Sequence, residues 1–345
     1  MKKLLVIFLV IICLICLFIF GFSSKNEFSK LGYSSKEVAL ILENVPKDFY
    51  KKITKKDDSI IDIINSKGYK SSNFDKYFDY YNKNKKANLE DIITIVNSSY
   101  DILDYPASSL LASLVSEKYF LEKNTARYLD YGNESNESSK RIISIVNSNG
   151  DKEFYTDTKS SNLDDGNLVL VNKFYHLPDG WEPNDLVVLT SRYNSGKNSS
   201  MRKEAAEAFM KMSDAAMLDG ITIKNASAYR SYDYQVSLYD GYVKRDGKIK
   251  ADIYSARPGY SEHQTGLCTD INIIDSSFDN TKESKWLLEN AYKYGFILRF
   301  PKGKEEITGY EYESWHYRYV GVKAAKIIHE DDLTLEEYYA YYVEK

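Results

Sequence analysis

The sequence predicts an α+β fold, a mainly antiparallel sheet with flanking helices, standing behind an apolar N-terminal segment and a small helical module. Three observations predict it. After residue 160, strand-like and helix-like stretches mix without a regular βαβ alternation. Residues 25–160 carry helical periodicity instead. Residues 4–22, LLVIFLVIICLICLFIFGF, form an uncharged run of 19 residues, long enough to span a bilayer. The expected division is therefore 1–24, 25–160 and 161–345.

The apolar run is read as a single-pass membrane helix. Lys2 and Lys3 before it favour an inside N-terminus, which leaves the rest on the extracytoplasmic face. No A-x-A site follows it, and Cys13 and Cys16 follow isoleucines, against a lipid-anchored cysteine. A cleaved signal would place the remainder on the same side. Cys268 is the one cysteine beyond this run, so the soluble part has no disulfide framework. A net charge of −4 gives no footprint for nucleic acid.

The helical module starts with SSKEVALILENV, apolar at helical spacing behind a serine cap, and DDSIIDII opens a second short helix. An internal repeat follows, residues 73–101 and 124–151. Each copy has an aromatic Asp-Tyr element, a polar spacer, an aliphatic run and Val-Asn-Ser. Two copies are too few for a solenoid, and a spacer or wall-contact module is expected. Residues 157–167 are polar and read as a linker.

The last domain holds the chemistry. NLVLVNKFYHLPDGW predicts an alternating strand and a Pro-Asp-Gly turn, and MRKEAAEAFMKMSDAAMLDG a helix ending at Gly220. ITIKNASAYRS predicts a strand that delivers Tyr229, Arg230 and Ser231, followed by a helix from SYDYQVSLYDGYVK. LCTDINIID predicts a strand with Cys268, Asp270 and Asn272 on one face. ESKWLLENAYKYG is a helix closed by Gly295, ESWHYRYVG an aromatic strand, and VKAAKIIHE and TLEEYYAYYVEK terminal helices.

Asp270 lies in an apolar run, and a buried carboxylate requires either a basic partner or a metal. His263 stands seven residues before it, and WHYR supplies His316 with Glu313 three residues ahead. Two imidazoles and a carboxylate suit Zn2+, with a fourth position open for water. Glu313 is the candidate general base. A pure strand would put Glu313 and His316 on opposite faces, so a turn is expected between them. There is no HExxH motif, and zinc peptidases of that kind are excluded. His176 and His329 lack metal spacing and are read as structural.

SEHQTGLCTD and ESWHYRYVG, preceded by AYRS and Gln235, resemble the VanY-like D-alanyl-D-alanine carboxypeptidases. These belong to a zinc peptidase superfamily that also holds D,D-dipeptidases and shares a fold with the hedgehog signalling domain. The resemblance covers residues 167–322. It implies that His263, Asp270 and His316 bind Zn2+, that Glu313 is the base, and that Arg230 stabilises the oxyanion. It also implies that Ser261 and Gln235 hold the peptide, a peptidoglycan stem ending in D-Ala-D-Ala. Cys268 departs from the family's usual alanine. Tetrapeptide stems, or a non-hydrolytic wall-binding module on the same fold, are the alternatives, and the presence of Glu313 favours an enzyme.

Overall fold

The computed structural model describes residues 24–178 and 180–344. The expected membrane helix, residues 4–22, lies outside them. Among the described residues no helix is long and apolar enough to cross a membrane. The chain divides into two compact units, with the border between Ile143 and Ser144.

The first unit is helical: α1 (Ser35–Asn44), α2 (Ser59–Asn65), α3 (Phe74–Lys83), α4 (Leu89–Asn97), α5 (Ser109–Val115) and α6 (Thr125–Glu134). Helix α7 (Ser139–Asn147) crosses the border. Ser34 starts α1 with a capping box, its hydroxyl accepting from the Glu37 N–H while the Glu37 carboxylate accepts from the Ser34 N–H. Both repeat copies fold as a 3-10 turn and two helices. Their aliphatic runs bury Ile92, Ile93, Ile95 and Val96 in one copy and Ile142, Ile143, Ile145 and Val146 in the other. In the first copy the motif asparagine has a structural job. Asn97 accepts from the buried Tyr77 hydroxyl at 2.6 Å and donates to the Gly68 carbonyl at 2.9 Å.

In the second unit, β1 (Lys159–Ser160) pairs in parallel with β2 (Tyr175–His176). Residues 144–160 belong to this unit, which therefore begins ahead of residue 160. The alternating strand expected at 167–171 does not form; a 3-10 turn, Leu163–Leu168, and irregular chain replace it. The reason is that the Asn167 and Val169 carbonyls accept from Arg318 Nη2, at 3.0 and 2.8 Å, rather than from a neighbouring strand.

Strand β3 (Leu186–Val188) pairs antiparallel with β5 (Ser200–Arg202). The central sheet is formed by β4 (Asn194–Asn198), β6 (Asn225–Ser227), β7 (Cys268–Ile271), β8 (Phe296–Leu298) and β9 (His316–Tyr319), in the order β4-β6-β7-β9-β8. Its junctions are antiparallel apart from β4 with β6. That pair depends on Gly196, where an added Cβ would sit 1.6 Å from the Ala226 carbonyl oxygen. The α+β expectation therefore holds; the central sheet is antiparallel but for one edge, and the separate β1–β2 pair is parallel.

Helices α8 (Lys203–Leu218), α9 (Tyr232–Asp246), α10 (Lys248–Tyr254), α11 (Lys282–Asn290), α12 (Glu305–Thr308), α13 (Val322–Glu330) and α14 (Leu335–Tyr342) complete this unit. Helix α8 buries Ala205, Phe209, Met212 and Ala216, the spacing of one helix face, in a core shared with Leu267, Ile271 and Phe296. Fully burying a side chain such as Ile271 stabilises the fold by about 1.5–3 kcal/mol. Strand β7 ends at Ile271, four residues before the end of the expected stretch at Asp275. Asn272 leaves the sheet at a positive φ of 56°, and its side chain accepts from the Lys224 N–H and donates to the Thr222 carbonyl.

Candidate active site

The site lies where β7 and β9 run side by side. Asp270 and His316 are register partners, so both side chains leave the same face of the sheet. His263 arrives from the 3-10 turn Glu262–Thr265, which ends on Gly266 at φ 68°. An added Cβ there would lie 2.9 Å from Leu186 Cδ2, so glycine satisfies both the backbone and the packing. The Glu313 N–H donates to the Phe300 carbonyl at 3.1 Å. A turn follows, with the His316 N–H donating to the Glu313 carbonyl at 3.3 Å and the buried Ser314 hydroxyl to Asp279 at 2.6 Å. This is the expected turn between base and ligand candidate.

The donor atoms converge. His263 Nε2 lies 3.4 Å from Asp270 Oδ2, and His316 Nδ1 lies 3.3 Å from both Asp270 Oδ1 and Glu313 Oε2. Asp270 is 2% exposed. Its carboxylate has the basic partner its burial demands: Arg230 Nη2 donates to Oδ2 at 2.5 Å, while Arg230 Nε donates to Ser227 Oγ at 3.0 Å. Arg230 thus faces the site from the end of β6, held additionally by its N–H to the His263 carbonyl at 3.2 Å.

The charges explain the protonation tendencies. Burial disfavours the Asp270 anion, but His263 and Arg230 beside it hold its carboxyl well below the usual range. Burial and Arg230 push His263 down, yet Cys268 and Asp270 raise it to about 9. His316 moves upward for related reasons, with Cys268, Asp270 and Glu262 outweighing its burial. Cys268 is fully buried, and the two imidazoles outweigh that burial and draw its thiol down to about 7. The anionic neighbours that raise both imidazoles make this a place that attracts positive charge, a proton or a cation.

The residues fit a zinc ion. His263 Nδ1 lies 2.7 Å from the Ala228 carbonyl, which assigns the ring hydrogen to Nδ1 and leaves the Nε2 lone pair facing Asp270. His316 presents Nδ1 instead. Donor atoms of Asp270, Glu313 and His316 lie within 4.8 Å of one another, as do those of His263, Cys268 and His316. Two nitrogens and a carboxylate match zinc chemistry.

The cleft above this floor is lined by Ser261, Gln235, Tyr242, Tyr260 and Trp315 among others. Ser261 is buried at its edge. Gln235 Nε2 donates to the Ala256 carbonyl at 2.8 Å, and its buried Oε1 has no hydrogen-bond partner. All seven candidate residues are therefore at one place. The two remaining histidines are elsewhere: His176 packs on Tyr260, and His329 stacks on Tyr292 with ring centroids 3.9 Å apart. Sequence reasoning passed over Glu262, Arg299 and Arg318, which form a buried ionic cluster behind His316. The signal was there, since FILRF and HYRYV place a charge inside apolar strand sequence as surely as CTDI does.

The model of the VanY D-alanyl-D-alanine carboxypeptidase family matches residues 198–322. The Bacillus subtilis protein YodJ is 49% identical over 181 residues, 50% of this chain and 66% of its own length. A bifunctional D-Ala-D-Ala dipeptidase and carboxypeptidase of Enterococcus gallinarum, VanXYC, is 33% identical over 50% of this chain and 94% of its own. The solved structure of the LD-carboxypeptidase LdcB is 45% identical, with a TM-score of 0.51 over 55% of this chain and 92% of that one. The match spans 66%, 59% and 65% of three curated relatives, less than two thirds of each. The matched stretch contains every candidate residue named above, and VanXYC is matched over 94% of its length: this chain belongs to the VanY D-alanyl-D-alanine carboxypeptidase family.

Proposed function

We propose that the second unit is a zinc-dependent carboxypeptidase that removes the C-terminal D-alanine from peptidoglycan stem peptides. The observation that carries this reading is the meeting of His263, Asp270 and His316 with Glu313 and Arg230 on the floor of one cleft. His263 Nε2, an Asp270 oxygen and His316 Nδ1 would hold the ion. When bound, Zn2+ supplies Lewis acidity to the scissile carbonyl and to the attacking water.

The chain's own residues do the rest. Glu313 is not needed in a three-ligand set, and its side chain is 15% exposed, open to the cleft. It takes the proton of the attacking water at its carboxylate and returns it to the departing amine. Arg230 has two donors committed to Ser227 and Asp270. Its guanidinium has five, so others remain for charge that develops on the carbonyl oxygen. The Ser261 hydroxyl meets the terminal carboxylate, and the unpaired Gln235 Oε1 accepts from a peptide N–H.

The first reading of the substrate is a stem ending in D-Ala-D-Ala, supported by the match to the VanY family model. A second reading, L,D cleavage of tetrapeptide stems, is supported by the likeness to LdcB. We place the enzyme on the extracytoplasmic face, tethered by residues 4–22, because the uncharged run follows two lysines. A purely wall-binding module has no use for a base at Glu313. The test incubates the purified chain with both stems and reads the products by mass. Release of D-alanine is expected, and Glu313→Gln should slow it by about 10²–10⁴ while zinc content and folding persist. No release from either stem supports the binding module.

A further inference from the structure

Glu262 sits between Ser261 and His263, and nothing in the proposed reaction uses it. It is 4% exposed, a setting in which a carboxylate requires partners. It has them on one oxygen only. Oε1 accepts from Arg299 Nε at 2.7 Å and from Arg318 Nη1 at 2.8 Å. Arg299 is held in turn by Glu336, whose two oxygens accept from Nη2 at 2.5 Å and Nη1 at 2.8 Å. Two guanidinium groups thus balance two carboxylates, and Arg318 ties the cluster to the Val169 carbonyl at 2.8 Å.

The other oxygen, Glu262 Oε2, has no hydrogen-bond partner, and neither has His316 Nε2. These two buried atoms face each other at 3.7 Å, longer than a formed hydrogen bond. His316 Nδ1 is on the opposite side of its ring, 3.3 Å from Asp270 and Glu313. His263 provides the comparison, since the Ala228 carbonyl takes its Nδ1 hydrogen and so presents Nε2. Each histidine turns a different nitrogen to the site, and each has an acceptor behind the other.

We infer that Glu262 is a positioning residue for His316: it selects the tautomer with hydrogen on Nε2, which leaves the Nδ1 lone pair for the metal. Arg299 and Arg318 occupy Oε1 and so keep Oε2 for this task. The inference rests on the zinc site proposed above. Carboxylates behind ligand histidines commonly contribute about 10–100-fold in metal affinity.

The experiment measures zinc affinity of the full chain by competition with a chelator. Glu262→Gln is expected to weaken zinc by about 10–100-fold. Glu336→Gln is the control, because it removes the charge and one of the two acceptors of Arg299's other partner without facing His316. It should lower thermal stability and leave zinc affinity near wild type. The inference is overturned if Glu262→Gln binds zinc like wild type, or if Glu336→Gln loses as much. Should Glu262→Gln fail to fold, nitrogen-15 shifts of the zinc-loaded wild type decide the matter: hydrogen on His316 Nε2 is expected, and hydrogen on Nδ1 overturns it. A wild-type chain that takes up no zinc overturns the metal reading together with this inference. Equal tight binding by wild type and Glu262→Gln overturns the inference alone.

Discussion

Asp270 Oδ1 and His316 Nδ1 lie 3.3 Å apart because the two residues are opposite one another on antiparallel β7 and β9. Their separation is set by the ladder, which makes the donor pair as rigid as the sheet. His263 is brought to the same carboxylate by a turn that Gly266 closes. Such a site is pre-organised for an ion and leaves little ordering to be done on binding.

The purified chain should therefore carry about one zinc, the stoichiometry of a single three-ligand site. His263→Ala and His316→Ala should each lose it, as read by elemental analysis. A double variant that retains stoichiometric zinc would contradict the donor assignment.

Cys268 separates two donor sets, since its sulfur lies within 4.8 Å of ring nitrogens of His263 and His316. Thiolates are good zinc ligands, but the proposed set uses Asp270 instead. Cys268→Ala should thus keep its zinc and release D-alanine at the wild-type rate. Loss of the metal would move the thiol into the ligand set.

Lys173 gives a pH dependence away from the site. It is 3% exposed, with its ammonium near Phe154 and Tyr310 and donating to the Asp252 carbonyl at 2.6 Å. Burial pushes it from 10.5 down to about 8, against the pull of Asp252. Between those values the unfolded chain holds a proton that the folded chain has released, so stability rises with pH across that window. Below it, the cost of the buried charge is present in full. Urea unfolding of wild type and Lys173→Met from about pH 7 to about pH 9.5 should show the wild type gaining on the variant. A constant difference would show that Lys173 is charged throughout.

Protease added to intact cells should remove the second unit and leave a protected N-terminal stub. A full-length chain recovered from the cytosol would exclude the proposed tether and its orientation.

Much of the site is legible in local sequence. The His263-to-Asp270 spacing, the Glu313-to-His316 turn and the helices with their serine and threonine caps are short-range features, settled by residues within a few positions of one another. Apolar periodicity likewise determines α8, and the absence of βαβ alternation determines the α+β class. What the sequence left open was the identity of partners. It required Asp270 to meet a base or a metal, and only the fold brought Arg230 to within 2.5 Å of it. It suggested a strand at 167–171, and only the reach of Arg318 across the fold took those carbonyls out of a ladder. Glu262 read as one letter of a motif until Arg299, Arg318 and His316 closed around it. Burial and pairing are decided by strand register between distant segments, which no local pattern encodes; residue type and spacing state the need for a partner, and tertiary structure selects it.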